Sequence, residues 1–164
     1  MREVEVLERV AACREAGGRI VFTNGVFDVL HLGHATYLAA ARDLGDFLIV
    51  GVNSDDSVRR LGKGPERPIH KCADRMALLE HLQSVDATLE FGEDTPLELI
   101  RKIEPDVLVK GGDYNPYQTD PTAKDYIVGR EIVMKRKGEV VAIPLVQGHS
   151  TTGILGRSRK NETP

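Results

Sequence analysis

The regular alternation of short apolar runs with helix-like segments is the feature that most constrains the fold of this chain. The runs have the length and apolar character of buried strands, and they lie at residues 20–22, 47–52, 87–91, 107–109 and 140–143. Helical periodicity is predicted before and between them, at residues 2–16, 34–43, 74–83 and 96–103. Parallel neighbouring strands need a crossover, and a helix is the usual one. The sequence therefore predicts a three-layer α/β fold with a five-stranded parallel sheet.

The length and composition predict one domain. The chain has 164 residues and is 41% hydrophobic, which suits a single compact core. We expect one domain over 1–164, with its core at about 18–156 and a polar tail at 157–164. The formal net charge is only -3 and charges of both signs are interspersed, so no nucleic-acid partner is predicted.

The sequence also predicts a cytosolic protein with no membrane partner. No leader-like N-terminus is found, and the most apolar run, 47–52, is too short to span a bilayer. Cys13 and Cys72 are far apart and outside any Cys-x-x-Cys pattern, so free thiols are predicted.

Two histidines mark the segment after the first strand. The next helix is predicted to open near His34, which places His31 and His34 at a helix N-terminus, where free N–H groups and the helix dipole attract phosphate. Gly33 leaves room for a polyphosphate, and Gly25 is expected to form the turn off the sheet. Histidines three residues apart can also share a metal, but no Glu or Cys lies close enough in sequence to complete such a site.

The segment 31–34 resembles the H-x-G-H signature of the nucleotidyltransferase superfamily, in its cytidylyltransferase-like branch. The chain has neither a P-loop nor a dinucleotide-binding glycine motif, which disfavours a kinase or a dehydrogenase. The resemblance implies a Rossmann-like fold of the nucleotidyltransferase type and a catalytic role for His31 and His34. The nucleotide contacts that it implies in this region are Asn24, Gly25, Val26, Phe27, Asp28 and Gly33.

Polar and basic residues follow the second strand. Asn53 and Asp55 could orient a substrate hydroxyl, and Lys63 or Arg67 could neutralise the migrating phosphate. The alternative is a capped helix followed by a solvated basic turn. Arg75 by itself suggests a surface residue, whereas the resemblance implies an arginine that faces the substrate.

Two further segments follow predicted strands. Lys110, Gly112 and Asp113 could contact the nucleotide or its magnesium, although Asp113 could instead close a turn. After the fifth strand, three hydroxyl residues suggest a second helix start that faces phosphate: Ser150, Thr151 and Thr152.

These segments together resemble the adenylyltransferases that make ADP-heptose. The pieces that carry this likeness are 53–55, 57–58, 67–69, 85–86, 93–96, 105–114, 127–129 and 150–152. The resemblance implies transfer of AMP from ATP, with Mg²⁺, to the sugar 1-phosphate D-glycero-β-D-manno-heptose 1-phosphate for lipopolysaccharide biosynthesis. It also implies the standalone form of an enzyme that elsewhere follows a heptose kinase, and we expect a homo-oligomer, most simply a dimer.

Two alternatives remain at this point. One is transfer of CMP to glycerol 3-phosphate or a similar alcohol phosphate, although those enzymes carry an arginine where this chain has Leu145-Val146-Gln147. The other is a nucleotide-binding regulator without catalysis, which the presence of both motif histidines disfavours. The polar segment 115–124 is predicted to be an exposed loop at the rim of the pocket or at a subunit contact.

Overall fold

A computed structural model describes residues 2–62, 64–112, 114–146, 148–149, 151, 153–154 and 156. The strands are β1 (Ile20–Gly25), β2 (Phe47–Asn53), β3 (Ala87–Phe91), β4 (Val107–Gly111) and β5 (Glu139–Ile143). The helices in the same part of the chain are α1 (Glu3–Glu15), α2 (Leu32–Arg42), α3 (Asp55–Arg60), α4 (Cys72–Glu80), α5 (Leu97–Ile103) and α6 (Arg130–Lys135).

The strands form one parallel sheet with the order β3-β2-β1-β4-β5. The first strand, β1, is therefore the middle strand of the sheet. Strands β2 and β3 lie on one side of it, and β4 and β5 lie on the other. The strand order reverses between β1 and β4. Ligands of open parallel sheets bind beyond the carboxyl ends of the strands at such a point.

Side chains alternate across the sheet and divide the core into two layers. Ile20 and Phe22 of β1 pack on one face with residues of α1, α5 and α6. Val21, between them, packs on the other face with residues of α2 and α4. The three-layer α/β sandwich that the sequence predicted is confirmed.

Several element boundaries differ from the predictions. Helix α2 begins at Leu32 because His31 occupies the N-cap position. Helix α5 begins at Leu97, one residue later than predicted, because Pro96 occupies the N-cap position. Helices α3 and α6 have six residues each, which is too short to show helical periodicity in a sequence.

Two aspartates hold the backbone at the amino ends of β1 and β2. The carboxylate of Asp106 accepts the Ile20 N–H at 2.8 Å, and the carboxylate of Asp86 accepts the Leu48 N–H at 2.8 Å. These residues lie at the edge of the sheet opposite the strand ends where a ligand is expected. Their part in the fold is therefore structural.

The described residues contain no helix that is long and apolar enough to cross a membrane. Cys13 and Cys72 are both free thiols, as predicted.

Candidate functional site

A cleft of about 910 Å³ opens at the carboxyl ends of the strands. Its walls come from the segments that follow all five strands and from the first turns of α2. Most predicted site residues line it: Asn24, Gly25, Val26, Phe27, His31, Gly33, His34, Asn53, Arg67, Lys110 and Thr151. The cleft therefore lies where the strand order reverses.

The two histidines of the H-x-G-H segment stack on each other. Their ring centroids are 3.8 Å apart with an interplanar angle of 17°, and the edge of Phe27 packs against His34. Nδ1 of His31 accepts the backbone N–H of His34 at 3.4 Å, a long hydrogen bond. In neutral His31 the proton is therefore on Nε2, which leaves that N–H available to a ligand.

Burial keeps both imidazoles neutral at physiological pH. The pKa of His34 is lowered to about 4, mainly by burial and also by the nearby His31, while the backbone of Val29 acts in the opposite direction. Burial also lowers the pKa of His31, and His149 adds to this effect. Nδ1 of His34 is buried and has no hydrogen-bond partner in the part of the chain that the structure describes. Each neutral imidazole carries one N–H donor, so the pair can donate hydrogen bonds without carrying a net charge.

The depressed pKa of His34 predicts a specific loss of stability in acid. The unfolded chain binds a proton near the ordinary value of 6.5, whereas the folded chain binds it only near 4. The free energy of unfolding should therefore be unaffected above about pH 6.5 and fall between about pH 6.5 and 4, by at most about 1.4 kcal/mol per pH unit for one proton. Urea unfolding of wild type and His34→Gln across this range should show a shallower fall for the variant.

His81→Gln is the matched control, because His81 is exposed at the end of α4. Equal slopes for wild type and His34→Gln would show that His34 is not held neutral by the fold.

The turn after β1 depends on Phe27, which corrects the expectation for Gly25. Phe27 has a φ of 48°, in the left-handed region that a bulky residue rarely adopts. Gly25 is needed for a different reason: a Cβ at this position would lie 3.0 Å from the Phe27 ring. The Phe27 ring folds back over the glycine and supports His34 from the side.

Gly33 makes room for side chains of the protein itself. A Cβ at Gly33 would lie 3.0 Å from Nδ1 of His31 and 3.1 Å from Cβ of His149. The glycine therefore allows the segment before Thr151 to pack directly on the start of α2.

Asp28 supports the cleft from beneath and does not line it. It is 2% exposed, and its carboxylate accepts the N–H groups of Ile69 and His70 at 2.8 to 2.9 Å. Nε of Arg67 lies 2.5 Å from Oδ2 of Asp28, an ion pair without the angular geometry of a hydrogen bond. Asp28 thus holds the segment that carries Arg67 against the end of β1, which corrects its expected role as a direct nucleotide contact.

Arg75 is also a supporting residue, and the expectation that it faces the substrate is wrong. Its side chain is fully buried. It donates to the carbonyls of Val26, Asn53 and His70 at 2.7 to 3.0 Å. It also forms an ion pair with the Asp55 carboxylate at 2.8 Å. Asp55 therefore binds Arg75 and is not part of the cleft wall. One guanidinium therefore joins the ends of β1 and β2 to the starts of α3 and α4.

Two asparagines lie at adjacent strand ends in the cleft. Asn53 is 5% exposed and its amide donates to Oγ of Ser57 at 3.0 Å. Oδ1 of Asn24 is buried and has no hydrogen-bond partner among the described residues. A buried amide oxygen without a partner is costly, so a ligand donor is expected to reach Asn24.

The end of β4 brings a basic and an aromatic residue to the cleft. Lys110 lies 5.4 Å from the centre of the Tyr114 ring. Gly112 has a φ of 91°, which favours glycine, and it lies next to the cleft wall without forming part of it. A Cβ on the preceding Gly111 would come within 2.9 Å of Leu145, so this backbone packs closely against the segment after β5.

Four predicted site residues fall outside the described residues: Lys63, Asp113, Ser150 and Thr152. Their roles stay predictions. The loop 115–124 is largely exposed, and its first residue donates its N–H to the Asp125 carbonyl at 3.0 Å. Its expected role at a rim or a subunit contact also stays a prediction.

Several cleft residues were missed by the sequence analysis. They include Tyr37, whose hydroxyl pairs with buried Thr23 at 2.6 Å, and Asp94, Thr95, Tyr126, Val128 and His149. Asp94 and Thr95 lie shortly after β3, so the rule that ligands bind beyond the carboxyl ends of the strands could have predicted them. Tyr126 and Val128 follow no strand, and only the folded chain brings them to the cleft.

The described residues contain no cluster of three His, Cys, Asp or Glu side chains that could hold a metal ion. Magnesium often keeps several waters and binds through substrate phosphates with one or two carboxylates.

The parallel sheet, the cleft at its switch point and the imidazole pair at a helix start define a Rossmann-like α/β protein of the nucleotidyltransferase type. The family model described as cytidylyltransferase-like matches residues 22–157. The chain belongs to the cytidylyltransferase-like family.

Curated relatives cover nearly the whole chain. It is 49% identical over 161 residues to the bifunctional protein HldE of Klebsiella pneumoniae, and 51% identical over 152 residues to that of Trichlorobacter lovleyi. These alignments cover 98% and 92% of the chain but 32% and 29% of the relatives, so the chain spans about a third of their length.

Two solved structures share the fold. One is a lipopolysaccharide core biosynthesis protein from Thermoplasma volcanium, 30% identical with a TM-score of 0.61, covering 81% of this chain and 100% of that one. A pantothenate synthetase from Thermus thermophilus is 21% identical with a TM-score of 0.53, covering 93% of this chain and 68% of that one, and it shows the fold alone.

Proposed function

We propose that the chain transfers AMP from ATP to D-glycero-β-D-manno-heptose 1-phosphate, giving ADP-heptose and pyrophosphate. The observation that carries this proposal is the neutral, stacked His31–His34 pair at the start of α2, facing a cleft at the switch point of the sheet. The similarity to two relatives, HldE and a lipopolysaccharide core biosynthesis protein, supports the choice of acceptor.

The reaction needs no nucleophile from the protein. A phosphate oxygen of the sugar 1-phosphate attacks the α-phosphorus of ATP, a new P–O bond forms, and the bond to the bridging oxygen breaks as pyrophosphate leaves. The acceptor phosphate is already ionised at neutral pH. The protein must therefore bring two anions together and stabilise the charge that develops on the leaving group.

The imidazole pair supplies this stabilisation as hydrogen-bond donors. His31 offers its Nε2–H, and the start of α2 adds backbone N–H groups and the positive end of its dipole. Lys63, Lys110 and Thr151 are proposed to add to the positive field, and Gly112, Asp113, Ser150 and Thr152 to complete the nucleotide site. Magnesium is proposed to enter as the complex with ATP.

The acceptor is proposed to bind beside Asn53 and Arg67, toward the end of β3. Asp94 and Thr95 line the cleft there, and Asp94 is paired with Arg60 at 2.8 Å. A sugar with many hydroxyl groups suits such a set of donors and acceptors. The cytosolic location and a homodimer belong to the same proposal.

Pyrophosphate release across a matrix of nucleotides and acceptors tests the proposed function. We expect release only when ATP is combined with the heptose 1-phosphate. Release with CTP and glycerol 3-phosphate instead would favour the cytidylyltransferase alternative, to which the family name points. ATP binding without release for any acceptor would indicate a regulator that has kept only the nucleotide site.

A further inference from the structure

We propose that His149 is a third imidazole of the triphosphate site and contacts the β- or γ-phosphate of ATP. This inference rests on the proposed function, because it assumes that a nucleoside triphosphate occupies the cleft.

His149 comes to the cleft from the segment after β5, which lies two strands away from β1 in the sheet. It lies beyond β5, whereas His31 and His34 follow β1, yet all three side chains line the same cleft. The ring centroids of His149 and His31 are 6.4 Å apart at an interplanar angle of 31°. A chain of linked phosphates can bridge two donors at this spacing.

The fold holds His149 in this position. The absence of a side chain at Gly33 lets the backbone of His149 approach the start of α2, because a Cβ on Gly33 would lie 3.1 Å from Cβ of His149. Thr151, which is helical, lies two residues further along the chain and lines the same cleft. The segments after β1 and after β5 therefore each bring an imidazole to this cleft.

The environment of His149 favours an anion and not a protein partner. The side chain is exposed, and no hydrogen bond to its ring is found within the part of the chain that the structure describes. His149 also lowers the pKa of His31, so the two rings are close enough for a charge on one to affect the other. A bound polyphosphate would contact both rings at this distance.

Calorimetry with ATP and AMP, without an acceptor, tests the inference. His149→Leu removes the N–H groups, and His149→Gln keeps an N–H donor. We expect His149→Leu to weaken ATP binding by about tenfold to a hundredfold, the range for one lost hydrogen bond to a charged group. AMP affinity, measured by competition with ATP, should change by less than about twofold, because AMP has no β- or γ-phosphate. His149→Gln should retain most of the ATP affinity.

His81→Leu is the matched control, since His81 is also exposed but does not line the cleft. His149→Ala replaces the leucine variant if thermal unfolding shows that the latter does not fold. Equal weakening of ATP and AMP, or unchanged ATP affinity, would overturn the role of His149. If the wild-type protein binds no ATP, the proposed function itself is wrong and this inference fails with it.

Discussion

His34→Ala is expected to lower turnover by about a hundredfold or more, the usual cost of one preorganised donor to developing charge. His34 is neutral because burial lowers its pKa to about 4, and it stacks at 3.8 Å on His31. The substitution removes a hydrogen-bond donor to the leaving pyrophosphate. It also removes the ring that stacks on His31. The measurement is the steady-state kcat and KM from pyrophosphate release.

The variant should remain folded. Nδ1 of His34 makes no hydrogen bond to the described residues, and the ring packs on His31 and Phe27 in the cleft, so the unfolding temperature should change little. His81→Ala, at the exposed end of α4, should behave as wild type in both assays. Turnover within about threefold of wild type, in folded His34→Ala, would contradict a role of His34 in the transition state.

Arg75→Met is expected to reduce the free energy of unfolding by about 3 kcal/mol or more, the scale for breaking a buried, hydrogen-bonded charge pair. The variant loses four bonds, to Val26, Asn53, His70 and Asp55. Each buried carbonyl left without a donor adds a desolvation cost. Arg75→Lys should recover only part of the loss, because an ammonium group cannot reach acceptors arranged around a planar guanidinium.

Arg59→Ala provides the matched control. Arg59 is 61% exposed and pairs with Asp56, so its removal should cost less than about 1 kcal/mol. Urea unfolding compares the three variants. A stability loss for Arg75→Met as small as that for Arg59→Ala would show that the buried network does not hold the cleft together. Intact stability with a raised KM for the acceptor would restore the substrate-facing role.

Residues at the cleft fall into two groups with different roles. His31 and His34 line it, and they are the proposed contacts of the phosphates. Arg75 and Asp28 lie beneath it and fix the strand ends from which the contacting side chains project. A substitution in the first group should reduce activity in a folded protein, whereas one in the second should reduce stability first.

The sequence alone determined the alternation of strands and helices, and with it the parallel sheet, because strand and helix patterning are local properties of the chain. It also placed His31 and His34 at a helix start after the first strand, which the structure confirms. Both predictions depend only on residues close together in sequence. Local patterning, and the rule that ligands bind beyond the carboxyl ends of parallel strands, were sufficient for these predictions.

Only the tertiary structure decided which polar residues face the cleft and which lie beneath it. Arg75 had the sequence context of a surface residue, and it is buried because acceptors from two distant segments, at Val26 and Asn53, converge on its guanidinium with the nearby His70 carbonyl. His149 carried no signal of its own, and it joins the histidine pair because β5 and β1 end at the same edge of the sheet. Burial and partnership depend on contacts between residues far apart in the chain, and such contacts exist only once the sheet has formed.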